Sequence, residues 1–327
     1  MPNVIIPCPY AVSPYGVADA GVDAAYKSIL NVAAANENMQ EKFPSNLLLA
    51  QAEVYPPVTF ETYPDTNPDG VHLDTARSMQ SNLADSVARA LQKSANVVVL
   101  GGDHTIAIGT GAGLSRHIDL SKVGLIYVDA HADCHTPVTS LSKSITGYPV
   151  AVNCGIGPKA LTSRFKSHLQ HVAYVGVRDV DRGELENIDF VNLQVYSNLL
   201  VEEKGIVEVT KRILHKFAHL EYLWLSIDLD ALDPVYFRRG ETDVPVTGGL
   251  TPRELLTLTR MVAETNRLKI TEFVQLNDVG ESTSLSVLVS RLSELALGLG
   301  GYRYGVGHEP LAAPVVKPLQ RTYDLTK

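Results

Sequence analysis

Short runs of apolar, often β-branched residues alternate along this chain with longer amphipathic segments. The runs lie at residues 4–6, 97–100, 125–128, 172–175, 222–225 and 270–274. Ahead of the second run, the apolar positions between 73 and 92 recur at helical spacing. Strands that alternate with helices form βαβ units around a parallel sheet whose central strands are buried on both faces. We therefore predict an α/β fold with helices on both faces of the sheet.

The chain of 327 residues contains no Ser-, Gly- or Pro-rich linker, no block of like charges and no repeat typical of a solenoid. A single domain over residues 1–327 is therefore predicted, which is within the size of large α/β domains. Residues 53–70 and 233–249 are rich in Pro, Gly, Thr and Asp and are predicted to be loops. Loops of this length in a compact domain are often functional.

Composition and charge exclude several classes of protein. Hydrophobic residues make up 45% and charged residues 20%, which is typical of a soluble globular protein. A net charge of -8 argues against binding to nucleic acid or an anionic membrane. There is no apolar run long enough for a membrane span, and the first basic residue is Lys27, so we expect a cytoplasmic protein. The scattered Cys8, Cys134 and Cys154 are predicted to be free thiols.

Acidic and histidine residues follow three of the predicted strands. Residues 101–105 read GGDHT, residues 129–133 read DAHAD, and residues 224–234 read WLSIDLDALDP. Because the carboxyl ends of parallel strands deliver their loops to one crevice, we expect these motifs to meet. In extended chain, side chains two residues apart share a face, so Asp129, His131 and Asp133 would point together, as would Asp228 and Asp230.

Carboxylates packed this densely require a counter-charge, because buried like charges cannot all ionise. Two divalent cations would balance four aspartates, with two neutral imidazoles completing the ligand set: His104, Asp129, His131, Asp133, Asp228 and Asp230. Mixed carboxylate and imidazole ligands without thiolate favour manganese, with nickel, cobalt and iron as alternatives, over structural zinc. Two such ions that share a water generate a hydroxide nucleophile, so the predicted reaction is hydrolysis.

Each motif alone has a simpler interpretation. GGDHT is also typical of a strand-to-helix turn in which Asp103 or Thr105 caps the helix. DAHAD alone is equally compatible with a solvated loop. The occurrence of all three motifs at successive strand ends favours the metal site.

These motifs resemble the signature set of the ureohydrolase superfamily, which includes the arginases and agmatinases. The resemblance extends from the region of Gly16 and Gly21 to a helix near residues 283–299. It implies a three-layer α/β/α sandwich around an eight-stranded, mostly parallel sheet, assembled as a trimer or hexamer. It also implies two manganese ions, the first held by His104 and Asp133, the second by His131 and Asp230, with Asp129 and Asp228 bridging. A metal-bridging hydroxide would then attack the guanidinium carbon and release urea and an amine.

Within the superfamily, the segment RDVDRGE at residues 178–184 resembles the arginase segment whose acidic residues bind the substrate α-amino group. The resemblance assigns that role to Asp181 and Glu184, and it places Ser142 near the amino-acid end of the substrate. These similarities favour arginase over agmatinase. A solvated acidic turn is the alternative.

Three positions depart from the arginase pattern. Thr146 stands where arginases have a histidine that transfers protons, which a threonine hydroxyl cannot do at neutral pH. His135 replaces an asparagine that contacts the substrate carboxylate, so it is a candidate for substrate binding or, with Asp133, for catalysis; an ordinary polar loop residue is the alternative. Gln275 replaces the glutamate that pairs with the guanidinium, and Glu272 or Glu281 are candidates to compensate.

The loop after residue 233 is slightly longer than in arginases, and its polar and aromatic residues are Tyr236, Phe237, Arg238, Arg239 and Glu241. The adjacent arginines either bind an acidic or peptide substrate or are solvated. The leading hypothesis is an atypical arginase-like hydrolase of linear amidines that acts on free or peptide-bound arginine. The alternatives are a related C–N hydrolase of the agmatinase, guanidinobutyrase or formimidoylglutamase type, and a catalytically silent metal-binding subunit.

Overall fold

The eight described strands form one sheet in the computed structural model, which describes residues 3–12, 52–93, 95–237, 242, 244–276 and 284–298. The strands are β1 (Asn3–Cys8), β2 (Glu53–Val54), β3 (Asn96–Gly101), β4 (Val123–Val128), β5 (His171–Val175), β6 (Gln194–Tyr196), β7 (Tyr222–Asp228) and β8 (Leu268–Val274). They lie in the order β2–β1–β3–β8–β7–β4–β5–β6, and every neighbouring pair is parallel. The predicted eight-stranded sheet is confirmed.

Helices cover both faces of this sheet. They are α1 (Leu73–Gln92), α2 (Ile106–Leu114), α3 (Pro149–Asn153), α4 (Lys159–Thr162), α5 (Arg182–Phe190), α6 (Asn198–Lys204), α7 (Ile206–Lys216), α8 (Pro252–Ala263) and α9 (Ser284–Ala296). Alternate strand residues enter two separate hydrophobic cores, with Val97 and Val99 on one face and Val98 and Leu100 on the other. α1 to α4 contribute to the first core and α6 to α9 to the second. The three predicted layers are therefore present.

The first core brings α1 and α2 into direct contact, which requires glycine on α2. A Cβ atom at Gly109 would lie 2.9 Å from the Leu83 side chain, and one at Gly113 would lie 2.7 Å from the Val87 side chain. Side chains at either position would push the helices apart. Since α2 begins two residues after His104, this packing fixes the position of the histidine.

The two predicted loops contain little regular structure. Residues 53–70 include β2, which has only two residues and forms one edge of the sheet. Among the described residues of 233–249, the regular structure is a 3₁₀ turn at Pro234–Tyr236. β6, at the other edge, was also absent from the sequence prediction.

The described cysteines agree with the sequence analysis. Cys8, Cys134 and Cys154 are free thiols, as predicted. Burial raises the pKa of Cys134 to about 12, so this thiol is protonated at neutral pH. Within the described ranges, no helix combines the length and the apolar character that crossing a bilayer requires.

Candidate metal centre

The candidate site lies at the carboxyl ends of five neighbouring strands. His104 follows β3, Gln275 follows β8, Asp228 ends β7, Asp129 follows β4, and Asp181 lies in the segment after β5. These strands are adjacent in the order β3–β8–β7–β4–β5, so the residues that follow them meet. Together they form a cavity of about 300 Å³ that is lined by His104, Asp129, His131, Asp133, His135, Thr146, Gly147, Asp179, Asp181, Glu184, Asp228, Asp230, Val244 and Gln275.

The cavity is strongly acidic. Half of its lining residues are aspartate or glutamate, and no lysine or arginine lines it within the described part of the chain. A concave surface with one sign of charge concentrates ligands of the opposite sign. The cavity is therefore suited to metal cations and to a cationic substrate group.

A first cluster of candidate ligands surrounds His104. The His104 ring is buried and stacks on the ring of Tyr127, with 4.2 Å between the ring centroids. Its Nδ1 atom faces three carboxylate oxygens: Asp129 Oδ2 at 2.8 Å, Asp228 Oδ2 at 3.4 Å and Asp133 Oδ2 at 3.6 Å. One imidazole nitrogen and several carboxylate oxygens facing a common point match the ligands of a hard divalent cation.

A second cluster surrounds His131, which follows the same strand as Asp129. The Nδ1 atom of His131 lies 3.0 Å from Asp230 Oδ2 and 3.4 Å from Asp129 Oδ1. Asp129 therefore directs one carboxylate oxygen toward each histidine. A carboxylate shared between two histidine and aspartate clusters is the arrangement that a pair of metal ions requires, so the residues present fit a binuclear site.

Tight turns, not extended chain, bring these aspartates together. Asp133 adopts a left-handed backbone conformation with φ of 48°, and its Oδ2 accepts a hydrogen bond of 2.7 Å from the Tyr127 hydroxyl. Asp230 lies in a 3₁₀ turn, where its backbone N–H donates to Asp228 Oδ1 at 2.7 Å. The predicted grouping is present, but the alternation argument for it was wrong. Asp228 lies at the end of β7 itself, whereas Asp133 and Asp230 reach the cavity from the segment after β4 and the 3₁₀ turn after β7.

The ionisation of these residues reflects crowding of negative charge. Burial raises the pKa of Asp133 well above its usual range, and the charge of Asp129 raises it further. Burial and the charges of Asp230 and Asp129 likewise raise the pKa of Asp228. Although burial lowers the pKa of His131, hydrogen bonds to Asp129 and Asp230 outweigh it and raise the pKa to about 12. Protons thus balance the charge in the protein alone, and metal binding would displace them.

Both interpretations of the GGDHT motif apply, to different residues. Asp103 accepts a hydrogen bond from the backbone N–H of Thr105 at 2.9 Å and another from that of Val12 at 2.7 Å. Asp103 therefore stabilises the strand-to-helix turn. His104, the next residue, enters the cavity.

The residues assigned to the substrate amino group are part of a helix N-terminus. The Asp181 side chain accepts the Glu184 backbone N–H at 3.0 Å, and Glu184 accepts that of Asp181 at 3.2 Å, which forms a capping box at the start of α5. Asp181 Oδ2 also lies 3.0 Å from His135 Nε2, and His135 Nδ1 lies 3.2 Å from the Thr139 hydroxyl. All three candidates line the cavity, and hydrogen bonds hold them in place.

The remaining candidates divide into those that reach the cavity and those that do not. Thr146 and Gln275 line it, and Gln275 has a left-handed backbone with φ of 61°. Ser142 is exposed and is not a lining residue; its hydroxyl accepts the Ser144 backbone N–H at 3.2 Å. Glu272 is fully buried below the cavity, so it does not replace the missing guanidinium ligand.

Several residues from the sequence analysis lie outside the described residues: Gly16, Gly21, Arg238, Arg239, Glu241 and Glu281. Tyr236 and Phe237 are described and do not line the cavity. Among its described residues, the loop after residue 233 contributes Val244 to the cavity.

Sequence reasoning missed the function of Arg178, although it lies in the RDVDRGE segment. Its guanidinium donates hydrogen bonds to six backbone carbonyl groups, those of Gly176, Asp230, Ala231, Leu232, Val246 and Thr247. Its own backbone N–H donates to Ala130 O at 2.9 Å. Arg178 thus joins the turns that carry Asp129 and Asp230 to the loop around Val246.

The sequence and the fold are similar to those of known proteins. A sequence model described as the Arginase family matches residues 4–294. The Bacillus caldovelox arginase is 35% identical over 231 residues, which cover 68% of this chain and 76% of the relative. The Brevibacillus brevis arginase is 34% identical over 222 residues, which cover 63% and 73% of the two chains.

Solved structures give the same result. A crystal structure of the B. caldovelox arginase has a TM-score of 0.79 and 28% identity, covering 91% of this chain and 98% of the other. The Entamoeba histolytica arginase in complex with L-ornithine has a TM-score of 0.78 and 25% identity, covering 91% and 100%. A structure of a hypothetical agmatinase from Burkholderia thailandensis, at 19% identity and a TM-score of 0.65, shares the fold. The family and the hydrolase class predicted from the motifs are confirmed, and the chain belongs to the arginase family.

Proposed function

We propose that the protein is a binuclear manganese ureohydrolase that converts an arginine-type guanidino group, free or within a peptide, and water to urea and an ornithine-type amine. The position of Asp129, with one oxygen toward His104 and the other toward His131, carries this proposal. The ligands would be His104, Asp129, His131, Asp133, Asp228 and Asp230. Their oxygen and imidazole donors favour manganese over structural zinc, with nickel, cobalt and iron as alternatives. When bound, two divalent cations lower the pKa of a shared water and supply hydroxide near neutral pH.

The protein residues around this centre would bind and orient the substrate. A planar guanidinium requires hydrogen-bond acceptors, and Gln275, which follows β8 next to the strand that precedes His104, has a side-chain oxygen that can accept. Asp181 and Glu184 offer carboxylates to a substrate ammonium group. Because the capping box and His135 already fix these carboxylates, little side-chain entropy would be lost when the substrate binds.

Urea release by manganese-loaded protein tests the proposal. Free arginine, agmatine, guanidinobutyrate and an arginine-containing peptide are offered separately, and bound metal is quantified in the same sample. Urea from arginine or from the peptide is expected, and the two substrates distinguish the free from the peptide form. Two bound ions without urea from either would contradict the proposal.

One observation favours a second function, a related C–N hydrolase for a substituted guanidino or a formimino group. Gln275 presents a neutral amide where a carboxylate would pair with a plain guanidinium. Turnover of guanidinobutyrate, agmatine or formimidoylglutamate in preference to arginine would support this function. A complete absence of turnover with bound metal would support a silent subunit.

Replacing Gln275 by Glu is expected to lower the KM for free arginine about fivefold, because a charge-assisted pair is about 1 kcal/mol stronger than a neutral hydrogen bond. Steady-state urea release measures the change. Gln92→Glu, which adds the same charge at the exposed end of α1, is the control. An unchanged preference among the four substrates would show that residue 275 does not contact the guanidinium.

Replacing Thr146 by His is expected to raise kcat by about three- to tenfold, since the new imidazole would line the cavity and carry protons but would lack supporting contacts. Ser144→His places the same side chain two residues away, outside the cavity lining, and should leave kcat unchanged. The comparison uses saturating substrate. Equal rates in wild type and Thr146→His would assign proton transfer to His135 or to solvent.

The same proposal includes a single domain, a cytoplasmic location and assembly of identical chains into a trimer or hexamer. One eight-stranded sheet and a family match over residues 4–294 support the single domain. Light scattering of the purified protein would measure the assembly.

A further inference from the structure

A chain of buried hydrogen bonds runs from His104, in the first cluster of candidate ligands, into the sheet. His104 Nε2 lies 2.6 Å from Ser226 Oγ, and the Ser226 hydroxyl donates to Glu272 Oε1 at 2.7 Å. The Thr110 hydroxyl donates to the other oxygen, Glu272 Oε2, at 2.7 Å. Ser226, Glu272 and Thr110 are fully buried, and His104 is almost so. These hydrogen bonds join the segment after β3 to β7, β8 and α2.

The direction of these bonds follows from the number of hydrogen atoms. The hydroxyl of Ser226 has one hydrogen, which it gives to the Glu272 carboxylate. Its contact with His104 Nε2 must then be one in which Ser226 accepts, so the hydrogen of the neutral imidazole lies on Nε2. In the neutral imidazole that a metal ion would bind, the lone pair is therefore on Nδ1, and it is Nδ1 that faces Asp129, Asp133 and Asp228.

Burying the Glu272 carboxylate in the middle of the sheet costs free energy, so its presence there points to a function. Burying a carboxylate costs more than burying an apolar side chain of similar size, which would pack well in the middle of a sheet. The residues on either side of it in the strand, Thr271 and Phe273, are buried and carry no charge. Both oxygens of Glu272 are used by hydroxyl donors, one of which leads to a candidate ligand.

We propose that Ser226 and Glu272 are positioning residues that hold His104 as the tautomer whose Nδ1 atom binds a metal ion. Partners of the second ring nitrogen commonly fix the tautomer and orientation of a histidine ligand in this way. The inference rests on the proposed function in one respect, that His104 is a metal ligand.

The second histidine provides an internal comparison. His131 Nε2 is buried and has no hydrogen-bond partner among the described residues; the Asp179 Oδ2 atom lies 3.9 Å from it. Among the described residues, His131 therefore has no series of hydrogen bonds like the one that begins at His104. Loss of the Ser226–Glu272 chain should weaken the site of His104 and spare the site of His131.

Titration of metal-free protein with Mn²⁺, followed by the electron paramagnetic resonance of free Mn²⁺, tests the inference. In Ser226→Ala and Glu272→Met, one of the two dissociation constants is expected to rise about 10- to 100-fold, and the other to stay within about threefold. The affected constant should be the one that His104→Asn removes. Glu272→Gln should restore most of the affinity, because its amide oxygen still accepts from Ser226. Ser293→Ala, at a buried hydroxyl on α9 that has no hydrogen-bond partner among the described residues, is the control.

Unchanged Mn²⁺ dissociation constants in folded Ser226→Ala and Glu272→Met, or equal weakening of both sites, would overturn the inference. Neither result would contradict the proposed function, which urea release by the wild type tests separately. Wild-type protein that binds no Mn²⁺ pair would instead contradict the proposed function. A second measurement needs no variant: Zn²⁺-loaded wild type should show a slowly exchanging, low-field proton resonance on His104 Nε2 in a ¹⁵N-histidine spectrum. If the proton is found on Nδ1 or exchanges at the rate of a solvated imidazole, the inference is wrong.

Discussion

Replacing Asp129 by Asn is expected to remove both metal ions and to lower urea release at least about a thousandfold. The magnitude follows from the several kcal/mol that bound cations contribute to a hydrolytic transition state. Asp129 directs Oδ2 to His104 Nδ1 at 2.8 Å and Oδ1 toward His131 Nδ1 at 3.4 Å, so a neutral amide would weaken both clusters. Metal content after desalting, determined together with the rate of urea release, measures the effect.

The Asn side chain should leave the fold intact. Its oxygen can still accept the His131 backbone N–H, which donates to Asp129 Oδ1 at 2.7 Å in the structure. Asp189→Asn, at an exposed position on α5, removes the same charge away from the cavity and should retain metal and activity. Two tightly bound ions in Asp129→Asn would show that this carboxylate is not shared between the sites.

The central strands could be predicted from the sequence because they are buried on both faces. β3 and β4 contain continuous apolar runs, and β3, β4 and β8 each lie within about two residues of their predicted bounds. β2 and β6 could not be predicted in the same way. They are edge strands of two and three residues, and their residues are half-buried or exposed, so no apolar run marks them.

Residue types at strand ends predicted the membership of the site but not how the chain builds it. His104, Asp129 and Asp228 follow from the order of motifs and strands. The left-handed conformation of Asp133 and its contact with Tyr127 leave no such signal, since the apolar pattern carries no information about φ. The capping box of Asp181 and Glu184, by contrast, has a recognisable spacing of three residues and could have been predicted.

Contacts between distant parts of the chain account for most of what was missed. Thr110 and Glu272 are 162 positions apart, and Arg178 and Val246 are 68 apart. Periodicity and motif spacing report on neighbours along the chain, whereas these pairs depend on which strands become adjacent in the sheet. Local patterns in a single sequence do not reveal that order, so the polar network below and beside the candidate metal ligands could be found only in the structure.

Replacing Arg178 by Met is expected to lower the free energy of unfolding by about 3 kcal/mol. The loss of the guanidinium would leave backbone carbonyl groups without donors, and each unsatisfied buried group costs about 1–3 kcal/mol unless water replaces the donor. The shortest of these bonds reach Val246 O at 2.6 Å and Asp230 O at 2.8 Å. Denaturant unfolding of metal-free protein isolates this effect from metal binding.

The same substitution shows whether Arg178 supports the candidate ligands around His131 in particular or only the stability of the whole fold. Since the guanidinium holds the turn of Asp230 while the Arg178 backbone bonds to Ala130, Arg178→Met should weaken the cluster of His131 more than that of His104. Lysine supplies a positive charge but not the planar guanidinium with its five N–H donors, so Arg178→Lys should recover about half of the lost stability. Arg182→Met, where the side chain is 93% exposed and pairs only with Glu186 among the described residues, should change neither stability nor metal affinity. Equal stability of Arg178→Met and Arg182→Met would mean that water replaces the guanidinium at every carbonyl group, and that the turns hold the metal ligands without it.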